Sequence, residues 1–176
     1  TLVGVTASAI DEDNGDTVTY ALTDDAGGRF KINETTGELS VTDSSDLNFE
    51  DINSHTVTVK ATSTDGTSNT KDFTINVSNA NEPITAVSDA NVSSDTVPEN
   101  SSGDTLVGVT ASATDEDSGD TVSYSLTDSS GGLFKIDSTT GVVTTDAVLD
   151  YEASSSHTIT VEALSTDGSK KTSDFI

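Results

Sequence analysis

The 176-residue chain contains no cysteine, no methionine and no tryptophan. Without cysteine there is no disulfide, no zinc–thiolate site and no thiol nucleophile. Basic residues are scarce: 7 Lys and Arg stand against 31 Asp and Glu, a formal charge of −24. Such a surface repels nucleic acid and anionic membranes, so neither is expected as a partner. Only 31% of residues are hydrophobic and 5% aromatic, so each domain has a thin core and burial alone stabilises it weakly. No apolar run approaches the roughly 18 residues that span a bilayer. Thr1-Leu2-Val3-Gly4 offers no basic region before an apolar stretch, so no signal peptide is expected. The chain reads as a fragment of a longer one.

What is present is said twice. Residues 1–24, TLVGVTASAIDEDNGDTVTYALTD, return as TLVGVTASATDEDSGDTVSYSLTD at 105–128. FKINETTG at 30–37 answers FKIDSTTG at 134–141, both at an offset of 104. The offset then falls to 102, where LNFE at 47–50 answers LDYE at 149–152, SHTVTV at 54–59 answers SHTITV at 156–161, and STDG recurs at 63–66 and 165–168. Solenoid units run to 20–45 residues, whereas a period near 100 is a whole domain. Two domains follow, 1–80 and 81–176, and both prolines, Pro83 and Pro98, lie just past the boundary. The first repeat starts too late to hold a first strand, and the last strand of the second stops at Ile176.

Alternation of period two marks half-buried strands. Val57, Val59 and Ala61 share one face and Thr56, Thr58 and Lys60 the other; Ile159, Val161 and Ala163 repeat the pattern. Strands are expected over 2–9, 17–22, 29–32, 38–42, 54–62 and 70–77, then over 106–113, 121–126, 133–136, 142–145, 156–164 and 171–176. Turn sequences separate them: DNGD at 13–16, DSGD at 117–120, and the TTG-containing stretches 34–37 and 138–141, where glycine supplies positive φ. Residues 84–87 and 95–97 read as a split first strand of the second repeat. No helix of useful length is expected. Short strands at this spacing predict an all-β antiparallel sandwich in each domain.

The acids recur at equivalent places. Asp11-Glu12-Asp13 matches Asp115-Glu116-Asp117, Asp65 matches Asp167, and Glu50 matches Glu152. Calcium takes 6–8 oxygen ligands from carboxylates, amides and carbonyls, and a D-x-D step supplies two carboxylates at once. A solvated loop that charges a sheet edge is the other reading of any single acid.

Taken in order, the motifs resemble cadherin repeats, found in tandem in bacterial surface proteins and in animal adhesion molecules. Pro98-Glu99-Asn100 is similar to that family's glutamate near the first strand, and Ala113-Thr114-Asp115-Glu116-Asp117 to its A-x-D-x-D. Leu149-Asp150-Tyr151-Glu152 is similar to L-D-R-E, with Tyr151 in place of the basic residue. Val161-Glu162-Ala163 with Asp167-Gly168 is similar to V-x-A-x-D-x-G, with the Asp displaced by two residues. Asn79-Ala80-Asn81-Glu82-Pro83 stands where the family has the linker D-x-N-D-N. The resemblance covers the whole chain. It implies a seven-stranded, immunoglobulin-like Greek-key sandwich in each repeat, the first lacking its first strand, with calcium held where consecutive repeats meet.

Carried over by position, the resemblance assigns the junction ligands to Asn48 and Glu50, to Asn81 and Glu82 with the carbonyls of Ala80 and Pro83, and to Asp115, Asp117 and Asp167. Asp11, Asp13 and Asp65 form a half-site toward a preceding repeat, and Glu99, Asp150 and Glu152 one toward a following repeat. Asn48 replaces an Asp, and the first repeat's base glutamate would precede Thr1. Fewer ions than the family's three, or weaker binding, are therefore expected.

The function implied is a calcium-rigidified extracellular module of a bacterial surface adhesin, serving calcium-dependent adhesion or stalk extension. Its partners are neighbouring repeats, with homophilic protein contact or a surface polysaccharide beyond them. A carbohydrate-binding module of a polysaccharide-associated protein is the alternative. Sugar binding needs an aromatic platform, and only Tyr151 and Phe49 are candidates for exposure. No enzyme is expected: His55 and His157 sit in equivalent S-H-T steps, read as surface or sheet-edge positions, and no serine lies in G-x-S-x-G.

Overall fold

A computed structural model describes residues 1–13 and 15–176. Asn14, in the DNGD turn, lies outside the described residues. The chain folds as two units, Thr1–Ala80 and Asn81–Ile176. Apart from one 3-10 turn at Ser44–Asp46, every regular element among the described residues is a β-strand.

The first unit holds β1 (Leu2–Thr6), β2 (Val18–Asp24), β3 (Phe30–Ile32), β4 (Glu38–Val41), β5 (Ser54–Ser63) and β6 (Ser68–Asn76). One sheet has the order β1-β4-β3 and the other β2-β5-β6, with all pairings antiparallel. The second unit holds β7 (Ser88–Asp89), β8 (Leu106–Ser112), β9 (Val122–Asp128), β10 (Phe134–Ile136), β11 (Val142–Thr145), β12 (Ile159–Ser165) and β13 (Lys170–Phe175). Its sheets run β10-β11-β8-β7 and β13-β12-β9. Each unit thus crosses from sheet to sheet and back, the topology of an all-β Greek-key sandwich.

Alternation explains the cores. Val57 and Val59 of β5 are 0% and 3% exposed, and Val161 and Ala163 of β12 are both 0%. They face Leu39 and Phe30 in the first unit, and Val143, Val109 and Ile159 join them in the second. A buried aliphatic side chain stabilises by roughly 1.5–3 kcal/mol. The tyrosine hydroxyls are satisfied in matching ways: Ala9 N–H donates to Tyr20 and Ala113 N–H to Tyr124, each at 3.0 Å.

Two close approaches recur. Gly37 and Gly141 both have φ near +71°, and a Cβ there would stand 2.3 Å from Ala7 O or 2.1 Å from Ala111 O. Only glycine fits. The amides of Ala7 and Ala111 donate to the carbonyls of these same glycines, at 2.9 and 2.8 Å.

The split first strand expected over 84–87 and 95–97 does not form: neither stretch is a strand, and β7 lies between them. Only Ser88–Asp89 pairs regularly, against Ser112 and Ala111. The residues before it still reach the sheet: Thr85 N–H donates to Thr114 O at 2.9 Å, and Ile84 and Val87 are buried in the core. β12 begins at Ile159, not 156, because its partner β13 ends at Phe175. In β5 the ladder extends to Ser54 opposite Asn76. His55 corrects the surface reading: it is 8% exposed and packs edge-on against Phe30 at 5.8 Å. His157 repeats the contact with Phe134 at 5.7 Å and is half-buried.

Candidate metal centres

The loops that carry the acids share one local device. An Asp or Asn side-chain oxygen accepts the backbone N–H two residues on, closing a tight turn. Asp11 accepts Asp13 N–H at 2.9 Å, and Asp115 accepts Asp117 N–H at 3.1 Å. Asp65 accepts Thr67 N–H at 2.8 Å, and Asp167 accepts Ser169 N–H at 2.7 Å. Asn48 accepts Glu50 N–H at 2.7 Å, and Asp150 accepts Glu152 N–H at 3.0 Å. One oxygen is spent on the backbone.

In the second unit the loop after β8 brings Asp115, Asp117 and Asp120 together, with one carboxylate oxygen of each within 4.8 Å of the others. Asp117 is 6% exposed and its Oδ2 accepts Glu82 N–H at 2.9 Å. Asp167 Oδ2 accepts Asn81 Nδ2 at 2.7 Å. Its carboxyl is held below the ordinary 3.8, first by the Ser169 amide and then by Asn81. The expected ligands Asn81, Glu82, Asp115, Asp117 and Asp167 therefore converge on one end of this unit.

At the matching end of the first unit Asp11, Asp13 and Asp16 form the same tight group. Asp65 is outside it, as Asp167 is outside the group in the second unit. The Asp65 carboxyl is lowered by the Thr67 amide and then by the Thr67 hydroxyl.

A further acidic group in the second unit comprises Glu99, Asp150 and Glu152, all exposed and within 4.8 Å. Glu99 Oε2 accepts Tyr151 N–H at 3.2 Å, which ties the Pro98–Asn100 segment to the LDYE turn. In the first unit Asn48 caps the corresponding turn with its amide oxygen, so replacing Asp there removes a charge and keeps the turn. Glu50 Oε1 is buried with no hydrogen-bond partner. Ala80 and Pro83 are exposed in irregular backbone on either side of Asn81 and Glu82.

Asp16 and Asp120 are the members that sequence reasoning missed. They stand in the G-D steps 15–16 and 119–120, read only as turns. The spacing held a signal, since a turn that follows a D-x-D folds its last carboxylate back toward the first two.

The donor set suits calcium. It consists of hard oxygens, and Asp115 Oδ2 is buried with no hydrogen-bond partner. A buried carboxylate oxygen left bare costs free energy unless a proton or cation meets it, and three like charges packed this closely repel one another. Calcium would supply the missing charge and take oxygens of Asp115 and Asp117 as ligands.

Tandem antiparallel sandwiches with acidic loop ends define a class of repeat built in arrays. The family model for the cadherin domain matches residues 1–78 and again 94–174. The chain belongs to the cadherin domain family. It is 33% identical over 163 residues to the human cadherin EGF LAG seven-pass G-type receptor 2, covering 90% of this chain and 5% of that protein. It is 30% identical over 165 residues to the Drosophila melanogaster protocadherin-like wing polarity protein stan, covering 90% and 5%. The chain therefore spans about 5% of the length of these relatives. Mouse cadherin-23 EC22-24 superposes with a TM-score of 0.65 at 28% identity, over 89% of this chain and 50% of that one. Drosophila N-cadherin EC1-4 shares the fold, with a TM-score of 0.67 at 22% identity over 92% and 41%.

Proposed function

We propose that the chain is a calcium-stiffened pair of extracellular repeats within a longer cell-surface adhesion protein, and that it acts as a spacer, not as a ligand-binding head. The observation that carries this is the bare buried Asp115 Oδ2 beside Asp117 and Asp120. Calcium takes its ligands from Asn48 and Glu50, from Asn81 and Glu82 with the carbonyls of Ala80 and Pro83, and from Asp115, Asp117 and Asp167. Asp11, Asp13 and Asp65 serve a preceding repeat, and Glu99, Asp150 and Glu152 a following one. Membership of an adhesion family and duplication of the acidic loops in both units support this reading. A bacterial surface is the setting we favour; it rests on composition alone, acidic and free of cysteine.

The work of such a module is mechanical. Calcium bridges acids that otherwise repel, and so restricts motion between repeats. Surface charge keeps neighbouring stalks soluble and apart. No catalytic role is proposed. Tyr151, at 63% exposure, is the one exposed aromatic among the described residues, which gives the carbohydrate alternative a single ring and no aromatic cluster. Among the described residues no helix is long and apolar enough to cross a membrane.

Small-angle scattering in calcium and in chelator tests the spacer. A narrower distribution of particle dimensions in calcium is expected. Identical profiles would sink the proposal.

A further inference from the structure

In each unit a threonine hydroxyl joins two loops that carry acids. In the second unit Thr166, the residue before Asp167, donates its hydroxyl to Asp120 Oδ1. The same hydroxyl oxygen accepts Thr121 N–H at 3.2 Å, and Thr166 N–H donates to Thr121 O at 3.1 Å. Asp120 is tied in turn to Asp117, whose carbonyl accepts its N–H at 3.2 Å. The first unit repeats every bond. Thr64, before Asp65, donates to Asp16 Oδ1. Thr17 N–H donates to Thr64 Oγ1 at 3.3 Å, Thr64 N–H to Thr17 O at 3.1 Å, and Asp16 N–H to Asp13 O at 3.3 Å.

We propose that Thr166 and Asp120, like Thr64 and Asp16, form a clamp that positions the calcium-binding loops, and that Asp120 serves the cation through this clamp instead of as a ligand. This rests on the calcium reading above. Asp115, Asp117 and Asp120 repel one another, so without a cation their loop is pushed open and away from the loop of Asp167. The hydroxyl offsets that repulsion. It pins Asp120, consumes the Oδ1 that would otherwise face a cation, and fixes the step between Thr166 and Asp167. A site whose ligands are held in place loses less freedom on binding and so binds more tightly. Thr166 and Asp120 are positioning residues here.

The two roles open to Asp120 demand different chemistry. A ligand needs its negative charge. A clamp needs only an oxygen acceptor, which asparagine keeps.

The test is a calcium titration of the whole chain, followed by NMR at the amides of Asp117, Gly119 and Gly168 with calcium as the only added ligand. Thr166→Val should raise the dissociation constant at these amides about five- to tenfold, the loss expected for two modest hydrogen bonds. Thr166→Ser and Asp120→Asn should stay within about twofold of the parent. If Thr166→Val does not fold, Asp120→Ala removes the acceptor and should show the same weakening. Thr160→Val is the control for general destabilisation: it cuts a hydroxyl–carboxylate bond to Asp174, of 2.8 Å, between β12 and β13, and should leave the dissociation constant unchanged. Weakening by Asp120→Asn with none from Thr166→Val would make Asp120 a ligand and overturn the clamp alone. A parent chain whose amides do not move with calcium would overturn the calcium reading as well.

Discussion

Asp167 shows how one side chain serves both fold and site. One oxygen closes its own turn on Ser169 N–H and the other accepts from Asn81. Both bonds favour the ionised form, so its folded pKa lies below the unfolded value near 3.8. A carboxylate depressed on folding contributes stability above its unfolded pKa and loses it as pH falls through the folded value. Asp43, Asp65 and Asp137 are lowered in the same sense, each first by a backbone amide: that of Ser45, Thr67 or Thr140. Asp95 is raised by desolvation and then by Asp89, and acts in the opposite direction. Acid unfolding should therefore set in below about pH 4. Asp167→Asn should flatten the pH dependence of the second unit there, as followed by circular dichroism. An unchanged acid transition in Asp167→Asn would contradict the assignment. Asp117→Ala should remove most of the stabilisation that calcium gives, in thermal melts with and without the ion.

At the scale of elements, the glycine after each TT step is the point of least tolerance. Gly141→Ala adds a Cβ 2.1 Å from Ala111 O at φ +71°. Backbone strain and collision should cost about 2–4 kcal/mol, read from urea unfolding. A change below about 0.5 kcal/mol would show that the β8–β11 crossing can yield. Leu39→Ala, at a fully buried position, should cost about 2–5 kcal/mol.

Most strands were legible in the sequence because Val-x-Val alternation is a direct image of a half-buried pleat. The ends of strands were not. They depend on where the partner strand stops, as at β12, and periodicity in one segment carries no information about its neighbour. His55 looked like an edge residue because it follows a serine at a strand start; only the Phe30 ring from the other sheet makes that position interior. The acids of the D-x-D steps and the STDG loops were legible through duplication, and Glu152 of the LDYE turn through its match with Glu50. Asp16 and Asp120 were not, because turn chemistry alone accounts for an aspartate after glycine.

At the scale of the molecule, duplication with a charge of −24 describes a chain whose folded state works against its own repulsion. Cores this thin leave a modest margin, and a ligand that binds only the folded form adds to it. At free calcium 100 times the dissociation constant the gain is about 2.7 kcal/mol per site, enough to raise a melting midpoint by on the order of 10 °C for a repeat of this size. Calcium titration calorimetry on the 176-residue chain, paired with melts in calcium and in chelator, measures this most directly. Saturable binding with a clear rise in the melting midpoint is the predicted result. No binding heat and superimposable melts would contradict the calcium-stiffened account.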